Sequence, residues 1–141
     1  MSASCRLPIE IAPDGGSPQA GRVYFAPESR HLEFDGQGRF RYGSREPVGG
    51  HCPAVNVTFS AAAQQYGRRS LGILLTGMGC DGATGLLALH QAGGQTIAQD
   101  ETTSIVFGMP KEAIQLGAAQ QVLSLDQIGH VLRTLEPGAG R

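Results

Sequence analysis

The residues best suited to chemistry gather in one short stretch, Thr76-Gly77-Met78-Gly79-Cys80-Asp81-Gly82, where a single acid, Asp81, stands among glycines that continue to Gly85. Glycines let backbone amides come close to a ligand or to another part of the chain. A lone acid in such a loop has two uses. It can cap a helix that starts there, accepting hydrogen bonds from amides that lack a partner. It can also orient a catalytic imidazole and stabilise the imidazolium, as the acid of a Ser-His-Asp triad does. A third reading is formal. Gly77 to Gly82 fits G-x-G-x-x-G, and Asp100 and Glu101 follow about twenty residues on, the outline of a dinucleotide fingerprint. Asp81 opposes that reading, because its carboxylate would face the pyrophosphate and repel it.

A triad acid needs a nucleophile and a base. No serine of the chain lies in G-x-S-x-G or, Ser124 as a cap of the last helix aside, at a strand-to-helix turn. Ser60 falls inside a predicted helix and Ser70 at a strand start. Of the 4 histidines, His90 and His130 sit near helix ends, where a surface position beside the C-terminus is the ordinary role. His31 and His51 fall in loops and are candidates for the rim of a site, each without an obvious partner. The 3 cysteines, Cys5, Cys52 and Cys80, form no C-x-x-C pair, so neither a zinc site nor a redox pair is signalled. His51 beside Cys52 reads as a polar histidine next to a reduced thiol. No metal and no cofactor is expected.

The elements that must position Asp81 are legible from periodicity. Leu71, Ile73, Leu74 and Leu75 form an apolar run of the kind that makes a strand buried on both faces. Leu86, Leu87, Leu89 and His90 recur at helical spacing, and Gly93-Gly94 stops the helix. The unit is thus strand, tight loop, helix, with the loop at the carboxyl end of the strand. Before it, Val55, Phe59, Ala62 and Tyr66 mark a helix closed by Gly67. After it come a strand at Gln95–Gln99, a short apolar segment at Ser104–Phe107, and a helix at Met109–Leu116 with Pro110 in its first turn. A strand at Gln121–Leu123 and a last amphipathic helix capped by Ser124 or Asp126 complete the alternation. Towards the N-terminus, Cys5–Ile11 and Arg22–Ala26 read as strands. His31–Asp35 and Arg39–Tyr42 flank Gly36-Gln37-Gly38 as a hairpin, expected as the antiparallel flank of a mostly parallel sheet. The fold class is α/β, a partial doubly wound sheet with helices on both faces.

Composition excludes several classes of function. A formal net charge of -1 offers no basic field for nucleic acid. A 40% hydrophobic content over 141 residues supports one globular domain with its own core. No apolar run reaches membrane-spanning length, and MSASCRLPIE has no signal-peptide pattern, so a cytoplasmic protein without membrane insertion is expected.

With these residues in view the chain resembles the C-terminal half of the chemotaxis protein-glutamate methylesterase catalytic domain, the CheB type. The matching stretches are GRVYFAPESRHLEF, HCPAVNVTFSAAA, the run from LGILLTGMGCDGATG through IAQDE to VFGMPKEAIQLGA, and VLSLDQIGHVL. The resemblance implies a doubly wound α/β domain that hydrolyses methyl-glutamate esters on methyl-accepting chemotaxis receptors, some members also deamidating receptor glutamines. It places the triad acid on Asp81, with Gly77, Met78 and Gly79 in the oxyanion and active-site loop and His31, His51 and Met109 as possible rim residues. The family's serine and histidine precede the region corresponding to Cys5 and have no counterpart here, nor has the receiver domain. Where the family reads P-S-V-D, this chain has Pro53-Ala54-Val55-Asn56. The expectation is therefore a single C-terminal portion, residues 1–141, inactive by itself. It would be completed by an N-terminal fragment, or self-associate through the edge near Leu71–Leu75. The other readings are a non-catalytic remnant that binds a partner and, more weakly, a nucleotide-binding module.

Overall fold

The computed structural model describes residues 7–77 and 79–135. Among these residues seven strands fall into three sheets. β1 (Ile9–Ile11) and β2 (Val23–Phe25) pair in parallel. β3 (Leu32–Phe34) and β4 (Phe40–Tyr42) form the antiparallel hairpin. Its turn is held by Asp35, whose Oδ1 accepts the Gln37 and Arg39 amides while Oδ2 receives Arg39 Nε. The Arg39 amide leads in holding the Asp35 carboxyl below its ordinary value.

β5 (Leu71–Leu74), β6 (Gln95–Gln99) and β7 (Gln121–Leu123) form a parallel sheet in that order. Four α-helices accompany them among the described residues: α1 (Val55–Gln65), α2 (Ala83–Gln91), α3 (Met109–Gln115) and α4 (Leu125–Arg133). Strand and helix alternate from residue 71 onward, and the stop signals act where expected. Gly67, Gly93 and Gly117 all follow helix ends at positive φ.

The main core joins Leu74 to Ala83, Leu86 and Leu89 of α2 and Ala113 of α3, with Val55, Phe59 and Ala62 of α1 packed against it. Full burial of Leu86 or Leu89 is worth about 2 kcal/mol each. Gly72 makes this approach possible, since a Cβ there would lie 2.7 Å from both Leu86 Cδ1 and Leu89 Cδ1. On the opposite face Ile97 is also buried, and α4, with Ile128 buried, packs against β6. Helices thus flank the parallel sheet.

Three expectations need correction. The hairpin flank forms a sheet of its own, with β3 packed against α1 and a small core of Ala12, Leu32 and Phe40, and is not hydrogen-bonded to the parallel sheet. β5 is buried on one face only. Gly72 and Leu74 are covered by α2, whereas Leu71 and Ile73 are half-buried and Leu75 is 43% exposed. The segment Ser104–Phe107 is irregular, with an isolated bridge from Phe107 to Gly77 and Ile105 92% exposed. The predicted strand from Cys5 lies partly outside the described residues and is β-structure only at Ile9–Ile11.

Candidate active site

The loop after β5 is fastened on both sides. On one side it is bound to the segment between β6 and α3. The Thr76 amide donates to Gln99 Oε1 at 2.8 Å, and Gln99 is itself buried at the end of β6. Thr76 Oγ1 donates to Val106 O and accepts from Val106 N, at 3.0 and 2.8 Å. Gly77 N donates to Val106 O at 2.9 Å, and Gly77 O accepts the Gly108 and Met109 amides at 3.0 Å each. Met109 lies over Gly77 so closely that a Cβ there would strike its Cε. Gly77 therefore shapes the loop, and its amide is not a free donor for an oxyanion. A Cβ added to Gly79 (φ +86) would meet open space. Met78 lies outside the described residues. Cys80 is an exposed free thiol.

On the other side the loop meets the start of α1. Asp81 Oδ2 accepts the Val55 amide at 2.8 Å and Oδ1 accepts the Asn56 amide at 3.1 Å. The helix itself starts at Ala54, which has no side chain able to cap it. Asp81 is thus a helix cap, as one reading of the loop expects, but for the neighbouring helix and not for α2. The return contact comes from Asn56, whose Oδ1 accepts the Gly82 and Gly85 amides at 3.0 and 2.7 Å. α2 also lacks a capping side chain of its own, since it starts at Gly82 with φ +103. Each helix is capped by a residue of the other's first turn or entry loop.

Among the described residues, those two amides are the hydrogen-bond partners of the Asp81 carboxylate; no serine or histidine side chain is among them. A carboxylate has about four acceptor sites, so two hydrogen bonds leave it able to accept from an imidazole. Asp81 is half-buried, neither sealed in the core nor free in water.

The histidines are placed variously. His31 is 2% exposed and serves the backbone: Nδ1 accepts the Ala54 amide at 3.1 Å, so Nε2 carries the hydrogen and faces Glu46 O at 2.6 Å. It anchors the start of α1 from beneath and does not line an open rim. His51 is exposed, bridged to Val48 through the backbone, just before the cis Cys52–Pro53 bond that leads into α1. His90 and His130 are exposed near helix ends, as expected. No group of metal-ligating residues occurs among the described residues.

Sequence reasoning missed Asn56 and Gln99 as organisers of the loop. The signal for Asn56 was indirect. A helix entering through Pro53-Ala54-Val55 has no local cap, so an acceptor has to arrive from elsewhere.

The sequence model described as CheB methylesterase matches residues 1–132. This chain belongs to the CheB methylesterase family. It is 48% identical over 96% of its length to a protein-glutamate methylesterase/protein-glutamine glutaminase of Anaeromyxobacter dehalogenans, and 45% identical over 91% to one of Pectobacterium atrosepticum. It spans only 39% and 37% of the length of those two relatives. Its fold matches the crystal structure of the Thermotoga maritima CheB methylesterase catalytic domain with a TM-score of 0.83 and 37% identity, over 89% of this chain and 68% of that one. The loop carrying Asp81 is thus part of a methylesterase-type α/β unit. No helix among the described residues is long and apolar enough to cross a membrane.

Proposed function

We propose that this chain supplies the acid of a Ser-His-Asp ester hydrolase acting on methyl-esterified glutamate side chains of a protein, by resemblance a chemotaxis receptor. The observation that carries the reading is the held carboxylate of Asp81. Two amides of α1 fix its plane at the carboxyl edge of a parallel sheet, and among the described residues no other donor meets it. In the mechanism a serine attacks the ester carbonyl and a histidine takes its proton, later handing it to the methoxide leaving group. Water then hydrolyses the acyl-enzyme by the same route. Asp81 holds the histidine in one tautomer and stabilises its cation. A glutamine side chain would be deamidated by the same sequence, with ammonia as the leaving group.

The serine and histidine belong, in this reading, to the part of a family domain that the chain does not match. The open side of the sheet supports it. Among the described residues β5 pairs only with β6, its Leu71 and Ile73 are half-buried, and Leu75 just beyond it is exposed. An unpaired edge beside apolar surface needs a partner strand. The complementary N-terminal portion of a methylesterase domain fits it; a second copy of the chain is the competing occupant.

A phosphate-cradling role has little support. The amides of Gly77, Gly82, Ala83 and Gly85 are already donated within the chain.

The test combines the chain with a complementary N-terminal segment bearing a serine and a histidine, and follows methanol release from methylated receptor. Hydrolysis that appears on mixing and is lost with Asp81→Asn supports the reading. Hydrolysis indifferent to Asp81→Asn sinks it. Sedimentation equilibrium of the chain alone decides between a self-paired edge and a waiting one.

A further inference from the structure

Asn56 takes part in both halves of the crossed capping. Its own amide donates to Asp81, and its side-chain oxygen accepts the amides of Gly82 and Gly85, the residue after the acid and one three further on. We propose that Asn56 is a positioning residue for Asp81, holding the loop so that the carboxylate keeps a single orientation. This rests on the reading of Asp81 as the triad acid, and it gives Asn56 no contact with substrate.

The glycines are matched to this task. A Cβ on Gly85 would lie 2.7 Å from Phe59 Cβ and 3.0 Å from Asn56 Cα, so only glycine lets the two helix starts come close enough for the 2.7 Å bond. Gly82 turns the chain at φ +103, and a Cβ there would lie 2.6 Å from Leu74 Cδ2. The Asp-Gly-x-x-Gly spacing at 81–85 is therefore built to receive an asparagine from the neighbouring helix. Gly82 and Gly85 are both buried. Without Asn56 Oδ1 their amides would be donors with neither protein nor water to take them, a costly state that the loop relieves by moving. Asp81 lies next to Gly82 and would move with it.

The experiment is amide exchange and carbon-13 spectroscopy on the full 141-residue chain. Asn56→Ala is expected to speed exchange at Gly82 and Gly85 on the order of tenfold. It should also speed exchange at Val55 and displace the Asp81 Cγ resonance. Asn56→Asp, which keeps an acceptor oxygen on the same stem, should restore all of these. If Asn56→Ala alters Gly82 and Gly85 while Val55 and Asp81 Cγ keep their wild-type behaviour, Asn56 merely caps α2 and the proposal falls. If the alanine variant fails to fold, Asn56→Asp decides alone: wild-type Val55 and Asp81 signals uphold the proposal and displaced ones overturn it. None of these readouts involves hydrolysis, so the esterase reading, decided by Asp81→Asn, stands or falls separately.

Discussion

α4 and α1 begin in opposite ways. α4 caps itself: Ser124 accepts the Gln127 amide at 3.2 Å and Gln127 Oε1 accepts the Ser124 amide at 2.9 Å, a complete capping box within four consecutive residues. α1 has alanine at its N-cap and relies on Asp81, reached through 25 and 26 residues of chain, with His31 holding the Ala54 amide from 23 residues on the other side. A local cap stabilises one helix and nothing else. A remote cap satisfies the same orphan amides and, in doing so, ties a loop to a helix. Where a carboxylate must be held still, the second arrangement gives it two fixed donors and a rigid base.

That contrast can be broken in order of expected effect. In the reconstituted hydrolase, Asp81→Asn should lower kcat by about ten-thousandfold, the loss seen when a triad acid can no longer hold its histidine. Ser124→Ala should leave kcat at the wild-type value, and equal losses from the two would erase the distinction drawn here.

Glycines in the two regions should respond with opposite sign. Gly82→Ala places a Cβ against Leu74 and Val55 at positive φ, so a loss of about 3 kcal/mol is expected in urea denaturation. Gly129 sits inside α4 with only the far end of Arg133 near its Cβ position, and Gly129→Ala should raise stability by about 0.5–1 kcal/mol.

The caps themselves differ less. Asp81→Ala leaves the Val55 and Asn56 amides without acceptors and should cost about 2 kcal/mol. Ser124→Ala should cost about 1 kcal/mol. A double variant of Asp81 and Ser124 is expected to show simple additivity, because the two caps share no partner. Coupling between them in the same denaturation series would trace to the path by which the Leu125 amide donates to Thr103 Oγ1, Gln99 Nε2 donates to the same oxygen, and Gln99 Oε1 accepts the Thr76 amide of the site loop.

Much of the frame could be read from residues alone. Stripes such as Val55, Phe59, Ala62 and strands such as Gln95–Gln99 follow from local periodicity, and the stops at Gly67, Gly93 and Gly117 follow from the φ that only glycine adopts easily. Ser124 with Gln127 is legible for the same reason, since donor and acceptor lie within one turn. The family motif around Asp81 was legible too, because its residues are contiguous in the chain. What tertiary structure decided was which donors each polar side chain meets. Asp81 lies beside the start of α2 in sequence yet serves α1, His31 is buried under α1 and not at a rim, and the Gly77 amide is taken by Val106. A hydrogen bond depends on separation in space. The packing of α1 across α2, permitted by glycine at positions 82 and 85, sets those separations, and no local pattern in the sequence encodes them.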